Sequence, residues 1–189
     1  MPANTVCLLA NILIDLESLE DAIELLKAAR SGSPADFWIN HDLGNALRAQ
    51  EKPASTGDAV RFLTVAAALK PDSPGVLSNL GSALGDLGTH DEAVVACREA
   101  IRLQPDLAEA HSNLGNALRT QRKLGEAAVS VREAIRLTPD FAVFHGTLGL
   151  ILADQRKYGE AVAAYRVAIR LKPDYAEAYP ASWFPDRPG

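Results

Sequence analysis

Proline recurs along this chain at a near-constant interval: Pro34, Pro71, Pro105, Pro139 and Pro173 lie 37, 34, 34 and 34 residues apart. Such a period means copies of one supersecondary unit stacked on each other, not a single irregular fold. Aligned on the prolines, two alanine columns are complete: Ala22, Ala59, Ala93, Ala127 and Ala161, then Ala29, Ala66, Ala100, Ala134 and Ala168. Upstream, Leu9, Leu43, Leu80, Leu114 and Leu148 are each followed by a small residue: Ala10, Gly44, Gly81, Gly115 or Gly149. A third column holds Leu13, Leu47, Leu84, Leu118 and Leu152.

The columns dictate the local structure. In Asn113-Leu114-Gly115-Asn116-Ala117-Leu118 the leucines are four apart and share one helix face, with a glycine beside that face. Glycine costs about 1 kcal/mol against alanine inside a helix, so its recurrence calls for close approach of a neighbouring backbone. Ala127, Val131, Ala134 and Ile135 give a second helix with small residues at the contact. Each unit is therefore a helix hairpin. Pro105 cannot continue its helix, and Asp106 with Glu109, repeated as Asp174 with Glu177, has the form of a capping box for the next one.

This pattern resembles the tetratricopeptide repeat family, whose 34-residue unit carries leucine-glycine early, small residues midway and proline at its end. The copies look like the near-consensus arrays of O-linked N-acetylglucosamine transferases and bacterial signalling proteins. The resemblance implies an all-α, right-handed superhelical solenoid of antiparallel helix hairpins. The repeats fall at 3–36, 37–73, 74–107, 108–141 and 142–175, forming one array over 1–175, with an aborted sixth repeat and a proline- and aromatic-rich tail over 176–189. The second unit is three residues longer, and Lys52-Pro53-Ala54-Ser55-Thr56-Gly57 reads as an extended turn between its two helices.

Composition fits a helical array: 48% hydrophobic but only 6% aromatic, as alanine and leucine packing requires. The apolar run Val6 to Ile14 has no basic segment ahead of it and is too short to span a bilayer. Its leucines sit in the repeat columns, so it reads as the first helix. With two cysteines, Cys7 and Cys97, and no export signal, the expected compartment is the reducing cytoplasm, without a structural disulfide. Cys97 shares a column with Leu26, Leu63, Val131 and Tyr165 and reads as a core thiol. Net charge is −5, distributed over the five units as −4, 0, −3, +1 and +2, with −1 in the tail. That polarity suits steering of a charged partner or head-to-tail contact between molecules.

Nothing in the sequence assembles catalysis, a cofactor site or a metal site. His111 and His145 occupy one column of successive repeats, a packing position, and His90 falls in an expected Thr89/Glu92 capping box on an exposed first turn. Gly81, Gly85 and Gly88 have no preceding strand to make a phosphate cradle. Arg132, Arg136, Arg166 and Arg170 are interleaved with Glu133 and lack exposed aromatics, a poor surface for nucleic acid. The chain reads as a non-enzyme without nucleic-acid or membrane partners.

In stacked hairpins the first helices line the concave side. Opposite the leucine stripe lie His41, Asp42, Asn45 and Arg48 with Trp38, then Ser78, Asn79 and Ser82, then Glu109, Ser112, Asn113, Asn116 and Arg119. These small polar groups suit the backbone amides of an extended peptide. In the resembled glycosyltransferases an asparagine ladder contacts peptide backbone. Asn79 and Asn113 occupy its column, with Asp42, Thr147 and Leu8 at the other rungs. Chaperone-binding members clamp a terminal carboxylate, and Asn45, Asn79 and Asn116 match the clamp's asparagines while His41 and Ser78 stand where its lysine would. In the fifth unit Val143, Gly146, Leu150 and Ala153 make the face apolar. The expected function is a scaffold that binds a peptide or protein segment in this groove. Two other readings stand beside it: a regulatory or substrate-docking part of a larger kinase or glycosyltransferase, and an array that self-associates through its uncapped carboxyl end.

Overall fold

A computed structural model of the chain describes residues 2–50 and 52–173. Among the described residues there are ten α-helices: Ala3–Asp15 (α1), Leu19–Gly32 (α2), Phe37–Ala49 (α3), Pro53–Leu69 (α4), Pro74–Leu87 (α5), His90–Leu103 (α6), Ala108–Thr120 (α7), Leu124–Leu137 (α8), Ala142–Asp154 (α9) and Tyr158–Leu171 (α10). They pair as hairpins α1/α2, α3/α4, α5/α6, α7/α8 and α9/α10. The chain divides into two compact units, Met1–Pro105 with α1 to α6 and Asp106–Gly189 with α7 to α10. The expected aborted sixth repeat and tail lie outside the described residues.

The alanine columns form the helix contacts. Ala22, Ala59, Ala93 and Ala127 are fully buried, as are Ala66, Ala100, Ala134 and Ala168. The glycine column has its packing reason at Gly115, where an added Cβ would run into Val131 Cγ2 and lie 3.2 Å from the Ala127 carbonyl oxygen. Cys97, in Val131's column, is fully buried, and both cysteines are free thiols. Burial pushes the Cys97 thiol up to about 12.

In four of the five hairpins the leucine at the end of the first helix also closes the turn. Ser18, Thr89, Lys123 and Lys157 donate their backbone N–H to the carbonyls of Leu13, Leu84, Leu118 and Leu152 at 2.8 to 3.0 Å. This six-to-one bond ends a helix through a left-handed residue. Gly88 supplies that conformation in one turn (φ 89°), and Glu17, Arg122 and Arg156 adopt it elsewhere (φ 61–62°). Between hairpins, the carbonyl of the periodic proline is the anchor. Asn40 Nδ2 donates to Pro34 O at 2.9 Å and His145 Nε2 to Pro139 O at 2.7 Å, each from the same position of the following helix. Asn40 is fully buried and also accepts from Arg30 Nε at 3.0 Å.

Two local expectations change. The extra residues of the second repeat, 37–73, do not extend a turn: they lengthen α4 to 17 residues where α2, α6, α8 and α10 have 14. Pro53 starts α4 at a position where its missing N–H costs nothing. Among the described residues the expected capping boxes at Asp106 and Thr89 are also absent, and that of Asp174 and Glu177 lies outside the described residues. The N-cap of α7 is Leu107, so Asp106 lies one residue too early to cap it, and the Thr89 hydroxyl donates back to Leu84 O at 3.1 Å. His90, expected on an exposed turn, is half-buried. Only where the acid falls at the N-cap itself does it act: Asp36 Oδ1 accepts from Ile39 N at 3.0 Å.

Candidate functional site

The most organised polar surface in the first unit centres on His41, on α3. Its Nδ1 is 2.8 Å from Asp42 Oδ1, and its Nε2 faces two side-chain amides, Asn45 Nδ2 at 3.1 Å and Asn79 Nδ2 at 3.3 Å. Amide nitrogens only donate, so Nε2 is the acceptor and the proton sits on Nδ1, donated to Asp42. The Asp42 carboxylate also acts on the nearby Cys7 thiol of α1. The hydrogen-bonded network links α3 and α5 through one imidazole.

Carboxylate, imidazole and thiol are together here in an order that cannot activate a nucleophile. The thiol faces Asp42, not His41, and burial together with the Asp42 charge pushes it up to about 12. An activated cysteine needs the opposite environment, a base or cation that lowers its pKa. Among the described residues no group of three or more His, Cys, Asp or Glu is placed to hold a metal ion.

Beside the network lies an aromatic platform. Phe37 stacks on His41 with ring centroids 6.0 Å apart, and Trp38 meets the Phe37 edge at 4.8 Å. Lys70, at the end of α4, sets its ammonium 4.0 Å from the Phe37 centroid and 4.9 Å from that of Trp38. Trp38 remains 48% exposed, so the platform offers a large apolar face against solvent.

On the other side of the network, Arg48 Nη1 donates to Ser82 Oγ, tying α3 to α5. A cleft of about 590 Å³ opens there, lined by Arg48, Ala49, Pro53, Thr56, Ser82 and Asp86. Pro53 begins the three-residue extension of α4 and Thr56 directly follows it, so the insertion contributes to one wall. Neither the cleft nor the roles of Phe37 and Lys70 is given by the columns. The only signal in the sequence was the three-residue excess itself.

The twelve residues expected in the groove fall into distinct places. His41, Asp42, Asn45, Asn79, Arg48 and Ser82 are brought together in the first unit, all half-buried. Ser78 is only 2% and Ser112 only 3% exposed, so both leave the accessible set. Their column also holds Cys7, which is likewise buried at 8% exposure. In the second unit, Glu109 is exposed, Asn113 and Asn116 are half-buried, and Arg119 Nη1 donates to Asp154 Oδ2 at 3.1 Å, tying α7 to α9. Along α9, Val143 remains 37% exposed while Thr147 is buried.

Two sequence models match the chain: one described as Tetratricopeptide repeat over residues 112–176, and one described as TPR repeat over residues 81–121. Together they span just over half of the 189 residues. The chain belongs to the tetratricopeptide repeat family, and its fold is an all-α helical-repeat solenoid. Solved structures that share the fold include a thermophilic TPR protein of Thermus thermophilus, with TM-score 0.78 and 20% identity over 92% of this chain and 93% of that one. MamA from Desulfovibrio magneticus follows at TM-score 0.71 and 19% identity, covering 91% of this chain and 96% of that one. YrrB, described as a TPR protein with an unusual peptide-binding site, has TM-score 0.64 and 21% identity over 94% of this chain and 90% of that one. No curated protein sequence matches the chain. The family's repeats generally serve as non-catalytic scaffolds for protein or peptide partners. No described helix is long and apolar enough to cross a membrane.

Proposed function

We propose that residues 1–175 act as one non-catalytic interaction module that binds an extended peptide segment of a partner protein in the cytoplasm, on the polar faces of its first helices. The observation that carries this reading is the network around His41 beside the half-exposed Trp38. Its amides are held in fixed orientation by the imidazole, so little side-chain entropy is lost when a peptide backbone docks. Trp38 supplies the apolar anchor that such interfaces concentrate their energy on. The cleft walled by Pro53 and Thr56 receives one polar side chain of the bound segment, between Arg48 and Asp86. A solved relative in fold, YrrB, is itself described as having a peptide-binding site. Within the second compact unit, Asn113, Asn116 and Glu109 form a separate polar surface of the same kind on α7.

The experiment is selection of binding peptides from a random library displayed on phage, followed by titration of the best peptide against the intact chain and its variants. Asn79→Ala combined with Asn113→Ala should weaken binding by more than about 1 kcal/mol, the scale of lost hydrogen bonds. Trp38→Ala should cost about 2 kcal/mol as a central anchor. Unchanged affinity in both variants would move the binding surface away from the first helices.

A further inference from the structure

Beyond peptide binding, the structure has a second surface to account for, on α1. Within each unit, a later first helix buries one stripe on the second helix that precedes it. On α9 that stripe includes Phe144 and Ile151, 3% and 0% exposed, with Phe144 clustered on Ala134, Ile135 and Leu137 of α8. On α3 it is Ile39, Leu43 and Ala46, none more than 2% exposed. The same positions of α1 are Thr5, Leu9 and Ile12. Thr5 is exposed, Leu9 is 38% and Ile12 44% exposed, and the adjoining Leu8 and Leu16 reach 61% and 69%. Among the described residues nothing covers this apolar face.

We propose that it docks on α10 of a second copy of the chain, carrying the repeat register from one molecule into the next. The pairing is written into residues that already meet inside the second unit. There, Arg122 Nη1 lies 3.7 Å from Asp154 Oδ1, joining the turn before α8 to the end of α9. One repeat later Arg156 occupies the place of Arg122, with the same backbone φ of 62°. Asp15 of α1 occupies the place of Asp154. In the docked register, Asp15 of one molecule meets Arg156 of the other. Gln155 Nε2 also donates to Leu124 O at 2.8 Å, fixing the end of α9 on the start of α8. The corresponding residues, Leu16 of α1 and Tyr158 of α10, are both apolar and exposed at 69% and 61%. A polar bridge inside the unit becomes an apolar contact between copies. Val162, half-buried where its equivalent Ala128 is 3% exposed, lies under the same face. The charge distribution agrees, since the first repeat carries −4 and the fifth +2.

An α1-to-α10 contact is heterologous and does not close on itself, so association is open-ended unless a rotation closes a ring. Sedimentation velocity of the full chain across a dilution series should show masses rising above 20.2 kDa with concentration and falling with added salt. Ile12→Glu blocks the α1 face, and Arg156→Glu with Tyr158→Glu blocks the α10 face. Each variant alone should remain a monomer with unchanged circular dichroism, because these side chains are exposed. Mixed in equal amounts they should form a discrete two-chain complex, since each keeps the face the other has lost. Asp15→Arg and Arg156→Asp should each weaken association at least tenfold, and the two together in one chain should restore it. A chain that stays at 20.2 kDa at every concentration overturns the proposal, as its own residues after Pro173 seated on α10 would produce. So does assembly of the α10-blocked variant alone, which is α1-to-α1 pairing, or failure of the two blocked variants to combine.

Discussion

Replacing Gly115 with alanine tests whether the glycine column exists for close approach. In an exposed helix interior that change stabilises by about 1 kcal/mol, because glycine loses more backbone entropy on folding. At position 115 the new methyl would collide with Val131 Cγ2 and sit 3.2 Å from the Ala127 carbonyl oxygen. Val131 and Ala127 are both fully buried, and a backbone oxygen cannot step aside without opening the α7/α8 hairpin. Overpacking of this kind costs about 2–3 kcal/mol, which exceeds the propensity gain and leaves a net loss of about 1–2 kcal/mol. Gly85 is the control, since an added Cβ there meets nothing within 4 Å and its backbone is ordinary. Gly85→Ala should therefore stabilise, by about 0.5–1 kcal/mol. Urea unfolding followed by far-UV circular dichroism reads both shifts. Amide exchange in α7 and α8 is followed in parallel, because stacked repeats can open one segment at a time. Shortening the obstacle sharpens the test: Val131→Ala should couple favourably with Gly115→Ala by about 1 kcal/mol in a double-mutant cycle. A midpoint that rises for Gly115→Ala as it does for Gly85→Ala, or a coupling near zero, refutes the close-approach argument.

The caps give a second contrast: Asp36→Ala should cost about 1 kcal/mol in thermal or urea unfolding, while Asp106→Ala, whose carboxylate caps nothing, should cost under about 0.5 kcal/mol. Alkaline pH gives another. Cys7, Cys97 and Tyr165 are all pushed up to about 12, chiefly by burial, from ordinary values of 9.0 for the thiols and 10.0 for the phenol. Below pH 9 all three are neutral whether the chain is folded or not, so their contribution is fully present. Above it the unfolded chain ionises first, and stability should decline progressively as pH rises from about 9 towards 12. Melting temperatures across that range should fall less steeply in Cys97→Val, which takes the residue found at the equivalent Val131.

What the repeat columns reveal is contact between like positions, and they reveal it well because helix packing here is column against column. The glycine column faces the column of Leu63, Cys97, Val131 and Tyr165 in every hairpin that has it. The helix hairpins and the buried thiol could therefore be read from spacing. The insertion misled for a local reason: proline followed by small polar residues marks a turn, but it equally marks a helix start, and Thr56 Oγ1 bonds back to Lys52 O within that start. Ser78 and Ser112 misled for a packing reason. A helical wheel offers a core face and an outer face, whereas a first helix inside a stack touches its own partner and the neighbouring first helices, so more of its circumference is buried.

The candidate site lay deeper still, because the contacts that build it join unlike columns. His41 reaches Asn79, one position beyond its own column in the next repeat, and Arg119 reaches Asp154 by the same one-position offset. Arg48 reaches Ser82, three residues before its own equivalent position, Gly85. Comparing each column with itself could show that His41 is the one histidine of its column, but not that its imidazole holds the amides of both Asn45 and Asn79. That arrangement is set by how far α5 is displaced along α3, which depends on how α3 itself is seated in the core by its buried stripe of Ile39, Leu43 and Ala46. If the displacement changes, the network changes before the core does. Leu43→Ala, which empties the fully buried position one turn from Asn40, should therefore weaken peptide binding even where circular dichroism shows the helices intact.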